Sequence, residues 1–427
     1  MTDAIIQYTL EQMNRAGFDR SHCTLTFDEK QELNVENGKI CLLRSGQDQE
    51  LFLVGIRNHR KASISISTMD NPGIDNAITE LLEMANSSEP DEAYDIAPAQ
   101  SSERFSAGPE TANLNKMYDR LEEFLDHVNR HYPHIIMAEC SLDFTRAITR
   151  TVNSNGVDFI EARGEYNGSM LFTANNEETT SSFSFTGFSS FDLEKPIYKY
   201  STIEQQLKDT SESLDARPVS AKFVGDVIIT PDAIDDFIGF LTGSIRDGSL
   251  IAGTSLYKGK LNQLVTSEQL TLRSVPLDPD MPGGYQVTSD GFKAEDMTLL
   301  HKGILKNYLL SHYGARKTGL ERAVSEGGCM VLDCGDTPLQ EMISGMSEGI
   351  ILGRFSGGDP ADKGDFSGIA KNSLYIKKGT VQYALSETMI SGNMAKVLNS
   401  IEAISKERVD FGDSRFPWVK VSGITIS

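Results

Sequence analysis

The sequence lacks any apolar run long enough to cross a membrane. Its longest near-continuous apolar stretch covers residues 51–56, far short of the ~18 to 20 residues that a transmembrane helix needs. Met1 to Ala4 include no basic side chain, and polar residues interrupt the segment 5–13, so no signal peptide is recognisable. We therefore expect a cytoplasmic protein with no membrane partner.

Cysteine and positive charge are also scarce. The five cysteines are an odd number spread over 427 residues, which is typical of reduced thiols and not of a disulfide framework. The 40 basic and 61 acidic residues give a net charge of −21, and such a field repels nucleic-acid phosphates. Direct nucleic-acid binding is therefore not expected.

A zinc-protease helix motif is missing. His127 and His131 have the i, i+4 spacing of a zinc pair, but Val128 stands where the general-base Glu of His-Glu-x-x-His would be. Pro133 separates this pair from His134, because proline interrupts a helix. We interpret these histidines as polar residues at the end of an amphipathic helix.

A second cluster contains two thiols and two carboxylates. Cys329, Asp333, Cys334 and Asp336 lie within eight positions, and a tight turn that brought them together would make a metal site. Their spacing matches no zinc pattern. The alternative is a strand that enters a turn, with small cysteines in the core.

The segment Gly353–Pro360 is rich in glycine but lacks the Gly-Lys-Ser/Thr of a nucleotide loop. Glycines permit close approach of another backbone, so we predict that this loop lines a groove for an extended peptide. A divalent-cation site at Asp359, Asp362 and Asp365 remains open, although the spacing is not that of an EF-hand. The predicted groove residues are Arg354, Phe355, Ser356, Gly357 and Gly358.

The hydrophobic periodicities predict an α+β fold in three parts. Residues 1–88 form an N-terminal α+β domain with a hairpin at Asn37-Gly38, and the proline-containing residues 89–110 form a linker. Residues 111–217 form a central domain, a long helix followed by an antiparallel meander. Residues 218–427 form a strand-rich C-terminal α+β domain, which begins with a strand over 223–229.

The C-terminal half contains several runs that resemble the TldD/TldE metallopeptidase family. They are most similar to its TldE members, which are also called PmbA and have been labelled modulators of DNA gyrase. Weaker similarity at Asn37-Gly38 and residues 63–68 extends the resemblance over nearly the whole chain. The main runs are Gly253–Leu261, Asp290–Phe292, His301–Gly319, Gly364–Ser367 and Val381–Asn393.

The resemblance implies a C-terminal domain that pairs with a TldD-type subunit. The expected complex is a cytoplasmic heterodimer that cleaves small or unfolded polypeptides, and a homodimer is the alternative when the partner is absent. TldD-type members carry His-Glu-x-x-x-His on a helix before the Gly-Thr-Ser run. The two ligand positions fall at about Ile238 and Gly243, and residues 411–418 contain no Cys where those members supply one. Zinc is therefore expected in the partner, and neither catalytic nor metal-binding residues are expected in this chain.

Three functions follow from these observations. The leading hypothesis is a non-catalytic TldE-type subunit that completes a peptide-binding chamber. The second is a self-sufficient metallopeptidase with an atypical site at residues 329–336. The third is an acidic protein that modulates DNA gyrase without proteolysis, for which the net charge of −21 is the support.

The purified chain is expected to hold no stoichiometric zinc, because Ile238 and Gly243 offer no N, O or S side-chain donor. Metal analysis of the untagged protein checks this. One tightly held equivalent of zinc would contradict it.

Overall fold

Two β-sheets organise the protein. The computed structural model describes residues 2–36, 38–358 and 360–427. One sheet has seven strands from the first half of the chain, and the other has thirteen strands from the second half. Helices pack against both sheets, so the chain has the predicted α+β fold. No helix in the described ranges combines the length and apolar character that a membrane span requires.

Among the described residues, the first half contains four α-helices and seven strands. The sheet order is β3-β2-β1-β5-β6-β4, and β7 also pairs with β6. Two short 3-10 turns, at Ile197–Lys199 and Ser213–Asp215, flank α4. The elements are α1 (Thr2–Arg15), β1 (Arg20–Glu36), β2 (Lys39–Arg57), β3 (Arg60–Ile66), α2 (Asn71–Ser87), β4 (Glu103–Ala107), α3 (Leu114–His131), β5 (Ile135–Asn153), β6 (Asp158–Ala174), β7 (Ser184–Ser190) and α4 (Ile203–Glu212).

Strands β1 and β2 form a long hairpin, as the sequence predicts. Glu36 pairs with Lys39, and Gly38 has a φ of 71°, a left-handed conformation that glycine adopts without a steric penalty. Asn37, which belongs to the predicted turn, lies outside the described residues. The pairing shifts register between Asn34 and Val35, which is a β-bulge near the tip.

Helix α3 covers one face of this sheet. Its side chains Met117, Leu121, Phe124, Leu125 and Val128 are buried and pack with residues of β1, β5 and β6. Leu114 and Tyr118, which the sequence period predicts on the same face, are 39% and 46% exposed. The Asn113 side chain accepts a hydrogen bond from the Lys116 N–H at 3.1 Å and caps the helix. The helix ends at His131, shortly before Pro133.

One sheet spans the predicted boundary between the N-terminal and central domains. Strand β1 pairs with β2 on one side and with β5 on the other. Within the predicted linker, β4 pairs in parallel with β6. The predicted meander is present, but its runs over residues 135–140 and 142–152 form the single strand β5. The division into domains remains a prediction.

The second half contains five α-helices and thirteen strands in the described ranges. One path through its sheet runs β11-β10-β9-β12-β20-β8-β13-β16-β17, and β14, β15, β18 and β19 branch from it. The elements are β8 (Phe223–Ile229), α5 (Ile234–Ser244), α6 (Asp247–Ala252), β9 (Leu272–Ser274), β10 (Met297–His301), β11 (Ile304–Leu305), α7 (His312–Thr318), β12 (Met330–Leu332), α8 (Leu339–Ser344), β13 (Glu348–Leu352), β14 (Arg354–Gly357), β15 (Asp365–Lys371), β16 (Ser373–Lys377), β17 (Thr380–Leu385), β18 (Thr388–Asn393), α9 (Met394–Asn399), β19 (Ile401–Asp410) and β20 (Arg415–Ile426).

Strand β8 has the predicted bounds, and α5 begins later than its sequence signals suggest. Thr230-Pro231-Asp232 is a typical helix start, yet the N-cap is Ala233. The Thr230 hydroxyl instead donates to the Gly353 carbonyl at 3.2 Å, and the Asp232 carboxylate accepts from Thr202 at 2.6 Å. Contacts with other elements therefore use the side chains that would have capped the helix.

Leu121→Ala is expected to lower the free energy of unfolding by about 2–5 kcal/mol, because Leu121 is 0% exposed in the core under α3. Its exposed neighbour provides the control, since Glu122→Ala is expected to change stability by less than about 0.5 kcal/mol. Urea unfolding followed by circular dichroism measures both. Equal effects would contradict this account of the core.

Candidate functional site

A cleft with a volume of about 850 Å³ lies between the two halves of the chain. Strands β6 and β7 with helix α4 form one wall, and the start of α5 with loops of the second sheet forms the other. Both polar and aromatic side chains line it. They include Phe185, Gln205, Asp209, Asp232, Asp235, Cys329, Arg354, Asn372, Asp413 and Trp418.

Four aspartates make the cleft acidic. Asp209 accepts a hydrogen bond from the Gln205 amide at 2.7 Å, and burial raises the pKa of Asp209 to about 6. Burial also raises the pKa of Asp232. The pKa of Asp235 is raised first by burial and then by the negative charge of Asp413. The walls therefore favour bound cationic or hydrogen-bond-donating groups.

Arg354 is the cationic side chain among the described residues that line this cleft. Burial lowers its pKa, and the Glu387 carboxylate opposes this effect. The Arg354 Nε atom is buried without a hydrogen-bond partner in the described structure. An incoming carbonyl or carboxylate group would satisfy that donor.

The five predicted groove residues do not share one environment. Arg354 lines the cleft, whereas the Phe355 ring packs against the core, with its centroid 5.5 Å from that of Phe366. Ser356 and Gly357 end β14 on the exposed surface, and Gly358 follows it. Strand β14 pairs with β15, and its other edge has no strand partner within the described ranges. The groove prediction is not tested by these positions.

The glycines of this segment have different steric requirements. A Cβ atom on Gly353 would lie 1.9 Å from the Asn372 carbonyl oxygen, so this position requires glycine. A Cβ atom on Gly357 would lie 2.5 Å from the Phe355 ring, whereas one on Gly358 would meet no atom within 4 Å. A side chain can therefore be added at Gly358 without disturbing the fold.

The positions that correspond to zinc ligands do not fit a metal. Ile238 is 1% exposed and packs in the hydrophobic core beside α5, and Gly243 has no side chain. The described residues contain no group of three or more His, Cys, Asp or Glu side chains placed to hold a metal ion.

The structure does not assemble the cysteine and aspartate cluster. Strand β12 separates Cys329 from Asp333 and Cys334. The Cys329 thiol donates to the Gly283 carbonyl at 3.2 Å, and Asp333 forms an ion pair with Arg273 at 2.5 Å. Cys334 is exposed, and the five cysteines of the sequence are free thiols. The cation site considered at Asp359 includes a residue outside the described ranges.

The histidines of α3 have structural partners. The His127 ring stacks on Tyr198 with centroids 3.8 Å apart, and its Nε2 atom lies 3.1 Å from the Glu204 carboxylate. His131 lies beside His127, with ring centroids 4.6 Å apart. These contacts connect α3 to α4, as expected for polar side chains at a helix end.

The sequence analysis missed the acidic wall of the cleft. Asp209 and Asp413 are about two hundred positions apart, and neither lies in a recognisable motif. The sequence pattern assigned Asp232 only to the start of a helix. Asp209 lies close to the apolar positions of α4 in the sequence, but nothing in the sequence indicates that its side chain is buried.

The α+β fold of this chain matches the fold of a solved TldE structure. The crystal structure of TldE from Thermococcus kodakarensis superimposes with a TM-score of 0.86 at 17% identity, over 99% of this chain and 100% of that one. At this identity the similarity establishes the fold. Residues 223–427 match the family model of the PmbA/TldA metallopeptidase C-terminal domain, so the second half of this chain is a domain of that family.

Sequence relatives agree with this assignment. The metalloprotease PmbA of Escherichia coli O157:H7 is 25% identical over 205 residues, which are 46% of this chain and 45% of that protein. The chain thus spans about half the length of relatives of this kind. A PmbA homologue of Haemophilus influenzae is 21% identical over 392 residues, 85% of this chain and 83% of that protein. The resemblance to the TldD/TldE family is confirmed.

Asp209→Asn is expected to stabilise the protein at pH 7 by about 1–3 kcal/mol. The folded pKa of Asp209, about 6, exceeds the ordinary value of 3.8, so the native state binds more protons than the unfolded state between these values. The contribution of Asp209 to the free energy of unfolding is therefore complete below pH 4 and is lost as the pH rises through 6. Urea unfolding from pH 4 to 8 measures the difference between variant and parent, which should vanish near pH 4. A difference independent of pH would contradict the assigned burial.

Proposed function

We propose that this chain is a non-catalytic, TldE-type subunit of a cytoplasmic metallopeptidase complex. Its partner is a zinc-bearing TldD-type subunit, and the complex degrades small or unfolded polypeptides. The observation that carries the proposal is an α5 helix with no metal donor at Ile238 and Gly243, in a domain that matches the PmbA/TldA family model and that forms one wall of a large cleft.

The cleft supports a role in holding peptide. Its volume of about 850 Å³ accommodates several residues of an extended chain. The unpartnered Nε of Arg354 is a donor for a peptide carbonyl. The free edge of β14 offers main-chain groups to an added strand, and such pairing makes little demand on peptide sequence.

Zinc belongs to the partner in this proposal. A relative from Saccharolobus solfataricus, 27% identical over 201 residues, is named a zinc metalloprotease TldD homologue. The partner supplies the metal and the hydrolytic chemistry, and this chain supplies one wall of the chamber. Purification of the chain from its native cell, followed by zinc analysis of the co-purifying proteins, tests the pairing. Recovery of the chain without a zinc-bearing subunit would contradict it.

Gly358→Val is expected to slow cleavage of an unstructured peptide by the complex at least about fivefold, because a β-branched side chain blocks close backbone approach beside β14. Open space at Gly358 lets the variant fold and assemble. Gly357→Val is unsuitable, since its Cβ would collide with the Phe355 ring.

Gly239→Val is the matched control. Gly239 lies on the exposed face of α5, and a Cβ atom there meets nothing within 4 Å. Each variant is mixed with the native zinc-bearing subunit, assembly is confirmed by gel filtration, and peptide cleavage is timed. Unchanged cleavage by an assembled Gly358→Val complex would exclude the peptide groove at this segment.

A further inference from the structure

The outer edge of strand β7 faces the cleft. Strand β7 pairs with β6 on one side, and no described strand pairs with its other side. Every residue from Ser184 to Ser189 lines the cleft. A strand edge presents main-chain donors and acceptors, and proteins normally shorten or cover such an edge. This edge instead lies along a cavity of about 850 Å³.

The second half of the chain occupies both ends of this edge. At one end, the Asn372 side-chain amide donates to the Phe183 carbonyl at 3.1 Å. At the other end, the Ser189 N–H donates to the Phe411 carbonyl at 2.8 Å. Phe183 and Ser189 therefore direct main-chain groups away from β6 and toward the second half, as a strand directs them toward a neighbouring strand.

Phe185 and Gly187 lie between these two ends. Main-chain groups in an antiparallel pair alternate in direction along the strand, so those of Phe185 and Gly187 point the same way as those of Phe183 and Ser189. Among the described residues, no group outside the β6–β7 pair forms a hydrogen bond with the main chain of Phe185 or Gly187. Each of these two residues thus offers an N–H and a carbonyl to the cleft.

A single extended polypeptide fits this edge. The stretch from Phe183 to Ser189 spans about 20 Å at the rise of a strand, and Asn372 and Phe411 close its two ends. The cleft lies between the two halves of one chain, so it has room for one added strand and not for a packed sheet. The Phe183 and Phe185 side chains, 53% and 60% exposed, offer apolar surface that an added strand would cover.

Carboxylates at both ends of the edge favour a basic segment. Asp209 precedes Thr210, whose hydroxyl is hydrogen-bonded to the Ser184 hydroxyl. Asp413 lies two positions after Phe411, whose carbonyl binds the other end of β7. Both aspartates line the cleft. Their charges attract a lysine or arginine side chain and repel an acidic one.

We infer that the cleft binds an extended, basic polypeptide segment as an added strand on the β7 edge, through the main chain of Phe185 and Gly187. The inference rests on the proposed function, because it names the kind of peptide that the chain holds. Main-chain pairing gives affinity with little dependence on sequence, and the carboxylates select for a basic side chain. The binding edge lies in the first half of the chain, outside the matched domain at residues 223–427.

Binding of a labelled peptide to the full-length chain tests the inference. The probe is an unstructured, fluorescein-labelled peptide of about ten residues with one central lysine, and fluorescence anisotropy measures its dissociation constant. Phe185→Pro is expected to raise this constant at least about fivefold relative to Phe185→Ala, because both variants lack the ring and only proline lacks the N–H. Proline at this edge position leaves the β6–β7 pairing intact, and circular dichroism checks the fold of both variants.

Modified peptides test strand pairing with the unaltered protein. Two peptides are N-methylated at alternate residues, in the two possible phases around the central lysine. Their dissociation constants are expected to differ at least about fivefold, because only one phase removes the N–H groups that face β7. Equal affinities for the two phases would overturn the strand pairing. Equal binding by folded Phe185→Pro and Phe185→Ala would also overturn it.

A third comparison tests the charge selection. Replacement of the central lysine of the peptide by glutamate is expected to raise the dissociation constant about tenfold or more. Asp209→Asn is expected to narrow this difference at least about threefold. Glu122→Gln removes one negative charge from the exposed face of α3 and should leave the difference unchanged. Equal effects of the two variants would show that only the overall charge acts, and would overturn the selection at β7.

These measurements need no partner subunit, so the two proposals fail in different ways. Failure of the full-length chain to bind the lysine peptide would overturn the present inference. That result would leave the recovery of a zinc-bearing complex from the native cell unaffected. Recovery of the chain without such a complex would contradict the proposed function, while peptide binding at β7 would still be measured.

Discussion

Hydrogen bonds between the two halves of the chain border the cleft. Asp232 accepts from Thr202 and from Gln206 at 2.6 and 2.7 Å, which connects α4 to the start of α5. Asn372 donates to the Phe183 carbonyl at 3.1 Å. These hydrogen bonds connect the Asp232 carboxylate to α4 and one loop to another. They do not fill the space between the two sheets. A buried carboxylate that is fully hydrogen-bonded on one side is stable, while removal of its partners would leave a costly uncompensated charge.

The same constraint explains the electrostatics of the site. Burial of Asp209 and Asp232 in the wall raises the pKa of each, because desolvation disfavours the charged carboxylate. Arg354 also lines the cleft, with a donor that no described group accepts. The lining of the cleft therefore has hydrogen-bond acceptors on α4 and at the start of α5, and a hydrogen-bond donor on β14. This arrangement suits a peptide backbone, which presents both donors and acceptors.

The first sheet is dominated by β1, which pairs over most of its length with β2 and β5. Long regular pairing gives a stiff platform for α3, but it also extends the hairpin beyond the cover that β3 provides. The open edge of β2 is thus a direct consequence of unequal strand lengths. A chain can retain such an edge when another surface covers it.

Local periodicity in the sequence determined much of the fold. The apolar stripe of α3, the face of α5 from Ile234 to Ile245 and the bounds of β8 were predictable, because each rests on neighbours within a few positions along the chain. The lack of metal donors at Ile238 and Gly243 was likewise visible once the resemblance supplied the positions. The start of α5 was not predictable, since Thr230 and Asp232 bind Gly353 and α4 in place of their own helix.

Only the tertiary structure determined the cleft and the free edge. Asp209, Arg354 and Asp413 come from three distant segments, and no spacing rule connects residues that meet through the packing of two sheets. The open edge of β2 follows from the point at which β3 stops pairing, which depends on cross-strand register. Sequence patterns report the local preference for helix or strand. The surfaces that remain uncovered depend on contacts between residues far apart in the chain, and for that reason they appear only in the folded structure.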